Sequence, residues 1–272
     1  MIVPENFLPP PTLRHYIANY GIIEISEGVV EPYFSPPLAL SGFIIQTLIP
    51  STKIVSKIEG EDFFTENAVA TGQVTKPVYG QITGPSKCIM VFFHPLGMHQ
   101  LFDNDMEKLT NKSLPLTAFL GQEQAEQLLS PIRNNQNSLH QIEVLNQFFL
   151  SLLNNKKKRP RLHAILDYIH QKKGEITVAE LDEYGNYQRK TIERHFKKMV
   201  GLTPKVYIQV YQFKCLINLL QARPDITWAQ LANEAGYYDQ PHMSKYVKEY
   251  LKVSPNSIVN LDMDFINYLL NR

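Results

Sequence analysis

The chain has 272 residues, of which 44% are hydrophobic and 19% charged, and its formal net charge is +1. This composition is typical of a soluble globular protein, and the length predicts two domains that each bury a core. No apolar run reaches the ~18 residues of a membrane span and no signal-peptide pattern opens the chain, so we expect a cytoplasmic protein without a membrane partner.

Residues 1–110 are predicted to form mainly short strands. After an early helix at about 12–19, apolar runs recur at 22–25, 38–48 (interrupted at Ser41-Gly42), 53–58, 78–82 and 88–93. Turn residues such as Pro36-Pro37 and Gly84-Pro85 separate them. Regularly spaced short strands indicate an antiparallel sandwich or barrel.

After residue 97 the pattern becomes helical, with helices predicted at 98–102, about 116–129 and 138–153. The third helix carries an apolar stripe of Leu139, Ile142, Leu145, Phe148, Phe149 and Leu152. The stripe either forms a dimer surface or packs on its own domain. The first domain, residues 1–154, is therefore predicted to be α+β.

A polar, basic and Pro-terminated linker is predicted at residues 155–160, followed by an all-α domain at 161–260 and a tail at 261–272. Residues 1–155 contain 8 Lys and Arg against 14 Asp and Glu, whereas residues 156–258 contain 18 against 10. A basic module joined to an acidic one is expected when only the basic module binds a polyanion.

The sequence from Trp228 to Val247 has the pattern of a helix-turn-helix unit. A short helix with Leu231 and Ala232 facing inward is predicted to end at Gly236, which adopts positive φ easily. Asp239 is expected to cap a second helix. The apolar positions of that helix leave Gln240, His242, Lys245 and Lys248 on its outer face.

The same pattern occurs about fifty residues earlier. Leu181 corresponds to Leu231, Arg194 to Lys245, and Thr203-Pro204 to the later Ser254-Pro255. Gly201 is expected to end the helix of this first unit, and Thr203 to cap the next one. Between the two units, a helix at about 205–221 carries enough apolar residues to pack against both. Two recognition helices supported by this connecting helix could enter successive major grooves, about 34 Å apart.

These motifs resemble the DNA-binding domain of the AraC family of bacterial transcription regulators. The resemblance covers about 100 residues. It rests on Thr191-Ile192-Glu193-Arg194-His195-Phe196-Lys197-Lys198, Gly201-Leu202-Thr203-Pro204, Leu231-Ala232, Gly236-Tyr237, Met243-Ser244-Lys245 and Val253-Ser254-Pro255. Asn186 replaces the family's turn Gly and is expected to preserve the turn, whereas Gln188 replaces its Ser cap and caps poorly.

The resemblance implies which side chains contact double-stranded DNA. In the first recognition helix they are Arg189, Lys190, Glu193, Arg194 and Lys197. In the second they are Gln240, His242 and Lys245. Arg can bind guanine, Gln can bind adenine, and Lys mainly supplies charge to phosphates. The alternative for each helix is an ordinary solvated face.

The N-terminal half more loosely resembles the β-rich sensor domain of uncharacterised AraC-type regulators. The similar segments are residues 13–20, 72–77 and 91–97. The resemblance suggests three further partners. They are a small-molecule effector of unknown identity, a second copy of the chain in a homodimer, and RNA polymerase. Tyr33, Phe34, Phe43, Tyr79, Phe92 and Phe93 either line an effector pocket or fill a core.

No pattern predicts an enzyme, and no cofactor or metal is expected. His94 and His99 beside Cys88 could suggest a metal site, but the spacing is loose and no carboxylate cluster follows. Cys88 and Cys215 are expected to be buried free thiols. The sequence thus predicts a sequence-specific DNA-binding regulator. The alternative is an interaction protein that modulates another regulator without an operator of its own.

Overall fold

The computed structural model describes residues 4–48, 54–64, 66–155, 161–185 and 188–253, together with Ile266 and Leu269. Strands dominate the first half of these ranges, and helices dominate after Gly97. The predicted order, an α+β domain followed by a helical one, is confirmed. The predicted linker lies outside the described residues apart from Asn155.

The strands form two antiparallel sheets. In chain order they are β1 (Glu5–Phe7), β2 (Ile17–Ile25), β3 (Val30–Ser35), β4 (Ser41–Gln46), β5 (Val55–Ile58), β6 (Glu61–Asp62), β7 (Ala68–Thr71), β8 (Val78–Thr83), β9 (Ser86–Phe93) and β10 (Ser113–Pro115). The first sheet has the order β1-β2-β9-β4-β7-β10, and the second has the order β3-β8-β5-β6.

Strand β9 is buried along its whole length because both of its faces are covered. Successive side chains of a strand point to opposite faces. Ile89, Val91 and Phe93 accordingly belong to a core shared with the N-terminal helices. Cys88, Met90 and Phe92 belong to a different core on the opposite side. That second core surrounds an apolar cavity, which is described below.

The predicted helix at residues 12–19 is wrong. A single turn is closed by the bond from the amide of Ile17 to the carbonyl of Leu13, at 3.0 Å. The chain then enters β2, which pairs with β9 from Ile17 opposite Phe93 to Ile25 opposite Ser86. A long antiparallel ladder outweighs the weak local preference of so short a segment for helix.

The predicted interruption at Ser41-Gly42 is also wrong, because these residues begin β4. Gly42 is needed there for close packing rather than for a turn. A Cβ atom on Gly42 would lie 2.4 Å from the carbonyl oxygen of Val91 in β9. Glycine inside a strand often marks such an approach of two backbones.

The N-terminal domain also contains helices α1 (Gly97–Phe102), α2 (Leu116–Leu120), α3 (Gln122–Asn134) and α4 (Ser138–Ser151). Two 3-10 helices occur at Met106–Leu109 and Leu152–Asn155. The predicted single helix at 116–129 is wrong, because Gly121 has φ +88° and separates α2 from α3. Only glycine enters this region without steric cost.

The apolar stripe of α4 packs on its own domain. Ile142, Leu145 and Phe149 are buried in the first core, and the rings of Phe149 and Phe93 lie 5.6 Å apart. Leu139 departs from the prediction, because it is 70% exposed. The buried part of the stripe is therefore not free to form a dimer surface.

The helical domain contains α5 (Leu162–Gln171), α6 (Val178–Gly185), α7 (Arg189–Val200), α8 (Pro204–Ala222), α9 (Trp228–Glu234) and α10 (Gln240–Leu251). The long helix α8 has buried residues from Tyr207 to Ile217, because neighbouring helices cover it on several sides. None of the helices in the described ranges combines the length and apolarity that a membrane crossing requires.

Candidate DNA-binding surface

The turn between α9 and α10 forms as the sequence predicts. Gly236 adopts φ +71° after α9, and the amide of Tyr237 donates to the carbonyl of Ala232 at 2.9 Å. Asp239 then caps α10, because its Oδ1 accepts from the amide of His242 at 2.7 Å. A carboxylate at this position also opposes the helix dipole. Gly236 and Asp239 therefore determine where α10 begins.

Helix α10 has one buried face and one exposed face. Met243, Val247 and Tyr250 are buried in the core of the helical domain. On the other side, Gln240, His242 and Lys245 are exposed, as predicted. The imidazole of His242 also packs against the ring of Tyr246, with 5.3 Å between centroids. Packing limits the orientations that this imidazole can adopt.

Helix α7 is built in the same way but has a weaker start. Ile192 and Phe196 are buried, whereas Arg189, Lys190 and Arg194 are exposed. Gln188 occupies the N-cap position without a side-chain hydrogen bond, as expected. Asn186, the predicted turn residue, lies outside the described residues.

Three of the predicted contact residues on α7, namely Arg189, Glu193 and Lys197, already have partners in the protein. Arg189 Nε lies 3.3 Å from Glu193 Oε1, one helical turn away. Lys197 Nζ lies 3.0 Å from an oxygen of Glu107 in the N-terminal domain. Glu193 thus holds Arg189, and Lys197 lies at the contact between the two domains.

The sequence did not reveal how the second unit is held by α8. Gln212 Nε2 donates to the carbonyls of Ala235 and Gly236 at 3.0 and 2.8 Å. Gln209 Nε2 donates to the hydroxyl of Tyr246 at 2.7 Å. These amides face the turn and α10, so the central helix positions the second unit through hydrogen bonds as well as apolar packing. Glutamines in an otherwise apolar helix are the signal that could have indicated this.

A second missed residue is Tyr238, in the turn just before α10. Its side chain is 94% exposed, the highest value among the large hydrophobic residues of the described chain. Tyr238 is therefore a candidate for a phosphate contact, because tyrosine hydroxyls are common phosphate donors. An aromatic residue beside the capping Asp239 was the available signal.

The residues considered for a metal site have other surroundings. His99 Nδ1 lies 2.8 Å from the carbonyl oxygen of Asn104. Cys88 is buried in β9, and burial raises the pKa of its thiol to about 12. Within the described ranges, no three His, Cys, Asp or Glu side chains are grouped so that they could hold a metal ion.

Residues 183–260 match a helix-turn-helix domain family, and the match includes α7, α8, α9 and α10. This is an AraC-type helix-turn-helix domain. Residues 5–115 match a domain of unknown function, DUF6597, and thus contain the strands that precede the AraC-type domain. A helix-turn-helix domain of this type supports a DNA-binding transcription regulator.

Solved structures with a similar arrangement include ToxT from Vibrio cholerae, at 11% identity and TM-score 0.46 over 89% of this chain and 97% of that one. ToxT of strain SCE256 with a bound unsaturated fatty acid matches at 13% identity and TM-score 0.43, over 85% and 94%. The AraC-like transcriptional activator CuxR matches at 15% identity and TM-score 0.35, over 78% of each chain. Comparison with curated proteins found no match.

Proposed function

We propose that this protein binds a specific DNA sequence by placing α7 and α10 in successive major grooves, and that its N-terminal domain responds to an effector. The observation that supports DNA binding is that α7 and α10 are amphipathic in the same way. Each buries its apolar face in the core around α8 and leaves cationic side chains exposed, and α10 also exposes the amide of Gln240. A polar helix face on a rigid support is what a major groove accepts.

The exposed residues divide into three roles. Arg194 and Gln240 are assigned to bases, because their side chains can form two hydrogen bonds to guanine and adenine respectively. Lys190 and Lys245 are assigned mainly to phosphates, whose neutralisation makes binding salt-dependent. Arg189 can serve either role, and its orientation is set by the carboxylate of Glu193.

His242 and Lys197, the two remaining predicted residues, differ in how readily they could contact DNA. His242 is exposed and close to Gln240 on the same helix, so it belongs to the proposed surface. Lys197 can reach DNA only after it leaves Glu107. DNA in bacteria lies in the cytoplasm, which is where this function places the protein. The domain boundaries at residues 154 and 161 stay predictions.

The effector is assigned to the apolar cavity of the N-terminal domain. Of the six aromatic residues considered, Phe92 and Tyr33 line this cavity. Phe43 and Phe93 fill the other core, and Phe34 and Tyr79 form a surface pair with centroids 4.9 Å apart. A homodimer and contact with RNA polymerase stay predictions.

The experiment that tests DNA recognition is selection of bound sites from random duplexes with the full-length protein. The expected result is a conserved sequence with two half-sites one helical turn apart, bound with a steep dependence on salt. Enrichment of no sequence would contradict the proposal and favour the interaction protein that acts through another regulator. Arg194→Ala in the same selection should relax the preference at one base pair.

A further inference from the structure

The apolar cavity of the N-terminal domain contains a residue from the other end of the chain. Leu269 lines the cavity together with Ile23, Leu38 and Met90 of the N-terminal domain. It lies eighteen residues beyond the end of α10 at Leu251, is helical, and is only 3% exposed. Ile266, one turn earlier, is fully buried. Leu269, close to the C-terminal end of the sequence, thus lines the proposed effector site.

The walls of the cavity determine which ligands it can accept. Among the described residues that line it, none carries a formal charge at neutral pH. The hydroxyl of Tyr33 lies against Ser56 Oγ at 2.8 Å, so its hydrogen-bonding capacity is already used in part. Cys88 presents a thiol whose pKa burial raises to about 12. A charged group would be buried here without a partner, which is costly. The ligand class is therefore uncharged and mainly apolar.

The free space is small while Leu269 is present. The cavity measures about 100 Å³. Ligand sites for drug-sized molecules usually measure ~300–1,000 Å³. Removing one leucine side chain from a core opens on the order of 150 Å³, enough for a benzene-sized molecule. The space released by Leu269 is thus comparable with the free cavity itself, and a ligand larger than a small hydrocarbon needs it.

We propose that Leu269 is an intramolecular competitor of the effector, so that an uncharged apolar ligand enters the cavity by displacing this side chain. This inference rests on the proposed effector function of the N-terminal domain. Ile266 and Leu269 belong to one continuous apolar cluster that also includes Phe213 of α8 and Leu251 of α10. Displacement of Leu269 therefore disturbs an apolar cluster that the cavity shares with helices of the DNA-binding domain.

The first test measures binding of N-phenyl-1-naphthylamine, an uncharged fluorescent probe, to the full-length protein. Leu269→Asp should tighten apparent probe binding roughly tenfold or more, because a buried carboxylate cannot compete for the cavity. Leu269→Ala should act in the same direction more weakly, and it covers the case in which the aspartate variant fails to fold. Leu139→Asp is the matched control, because this leucine is 70% exposed, and it should leave probe binding unchanged.

A second probe tests the ligand class. 1-Anilinonaphthalene-8-sulfonate has the same rings and an added sulfonate, so it should bind the Leu269→Asp protein much more weakly than the uncharged probe does. Equal binding of the two probes would overturn the assignment to uncharged ligands.

Hydrogen exchange tests the displacement directly. Saturating N-phenyl-1-naphthylamine should speed amide exchange in the peptide that contains Ile266 and Leu269. Unchanged exchange, or probe affinity indifferent to both Leu269 substitutions, would overturn the competition even if site selection had shown specific DNA binding. Conversely, a failed site selection would leave these probe measurements intact, so the two proposals fail separately.

Discussion

Lys197 of the first recognition helix and Glu107 of the N-terminal domain form an ion pair of 3.0 Å. Close by, the hydroxyl of Thr110 donates to the carbonyl of Gly201, the residue that ends α7. The same helix that carries Arg194 into the proposed groove is therefore attached at its C-terminal end to the domain proposed to bind the effector. Helix α7 therefore belongs both to the proposed DNA-binding surface and to the contact between the two domains.

Glu107→Gln should tighten DNA binding roughly two- to fivefold at low salt. The substitution frees Lys197 for a phosphate and removes a negative charge beside the DNA-binding surface. The cost to stability should stay within about 1 kcal/mol, because both partners of the pair are about half exposed. Fluorescence anisotropy with a selected duplex, repeated over a range of salt concentrations, measures the effect.

Glu126→Gln is the control for that measurement, because it makes the same charge change at an exposed position of α3. Similar gains in both variants would mean that only the overall charge matters. Such a result would contradict a specific role for the pair between Lys197 and Glu107.

Arg194→Ala should weaken binding to the selected sequence by about 1–3 kcal/mol, with much less effect on unrelated DNA. The reason is that an exposed guanidinium on α7 can form two hydrogen bonds to one guanine. Competition binding with specific and unrelated duplexes measures the ratio. Arg161→Ala removes the same charge at an exposed position before α5 and should leave that ratio unchanged. An equal loss on both duplexes would assign Arg194 to a phosphate instead.

The caps of the two recognition helices predict opposite responses to substitution. Asp239→Ala should cost about 0.5–2 kcal/mol, because the amide of His242 loses its acceptor. Gln188→Ser should instead stabilise the protein by about 0.5–1 kcal/mol, because α7 begins without a side-chain cap. Urea unfolding of both variants tests the pair. A destabilising Gln188→Ser would show that Gln188 has a role beyond the cap.

The local features of the helical domain could be predicted from sequence because short-range chemistry determines them. Gly201, Thr203, Gly236 and Asp239 end or begin helices as expected, with positive φ at the glycines and side-chain caps at the other two. The exposed positions of α7 and α10 followed from the apolar stripe, and the family resemblance implied which of them are expected to contact DNA. Their separation along DNA and their individual roles stay predictions.

The features that the sequence missed depend on contacts between distant residues. Residues 12–19 have helical spacing, but most of the segment forms a turn and a strand because β9 is available as a partner. Gly201 was expected to end a helix, yet a Cβ there would also lie 2.9 Å from the carbonyl oxygen of Met106 in the other domain. The place of Leu269 in the N-terminal cavity has no local signal at all.

The imidazole of His170, in α5, packs against two tyrosines of α8. Its ring stacks on Tyr211 with 4.3 Å between centroids, and Nε2 lies 2.8 Å from the hydroxyl of Tyr207. Burial is the main cause that lowers the pKa of His170 to about 4, and the ammonium group of Lys214 lowers it further, against the opposing carboxylate of Asp167. The folded protein therefore holds this histidine neutral at pH values where the unfolded chain protonates it.

Stability should consequently fall as the pH is lowered from about 6.5, the ordinary value for histidine, to about 4, the lowered pKa of His170. Over that range the unfolded state binds more protons than the folded state, so this one group contributes a loss of about 1–3 kcal/mol. Urea unfolding at pH 7.5 and pH 4.5 should show a smaller difference in His170→Gln, which has no proton to take up. His140→Gln, at an exposed position, should keep the full pH dependence. If His170→Gln kept it as well, the loss of stability in acid would have to arise from other groups, such as His94, whose pKa burial also lowers.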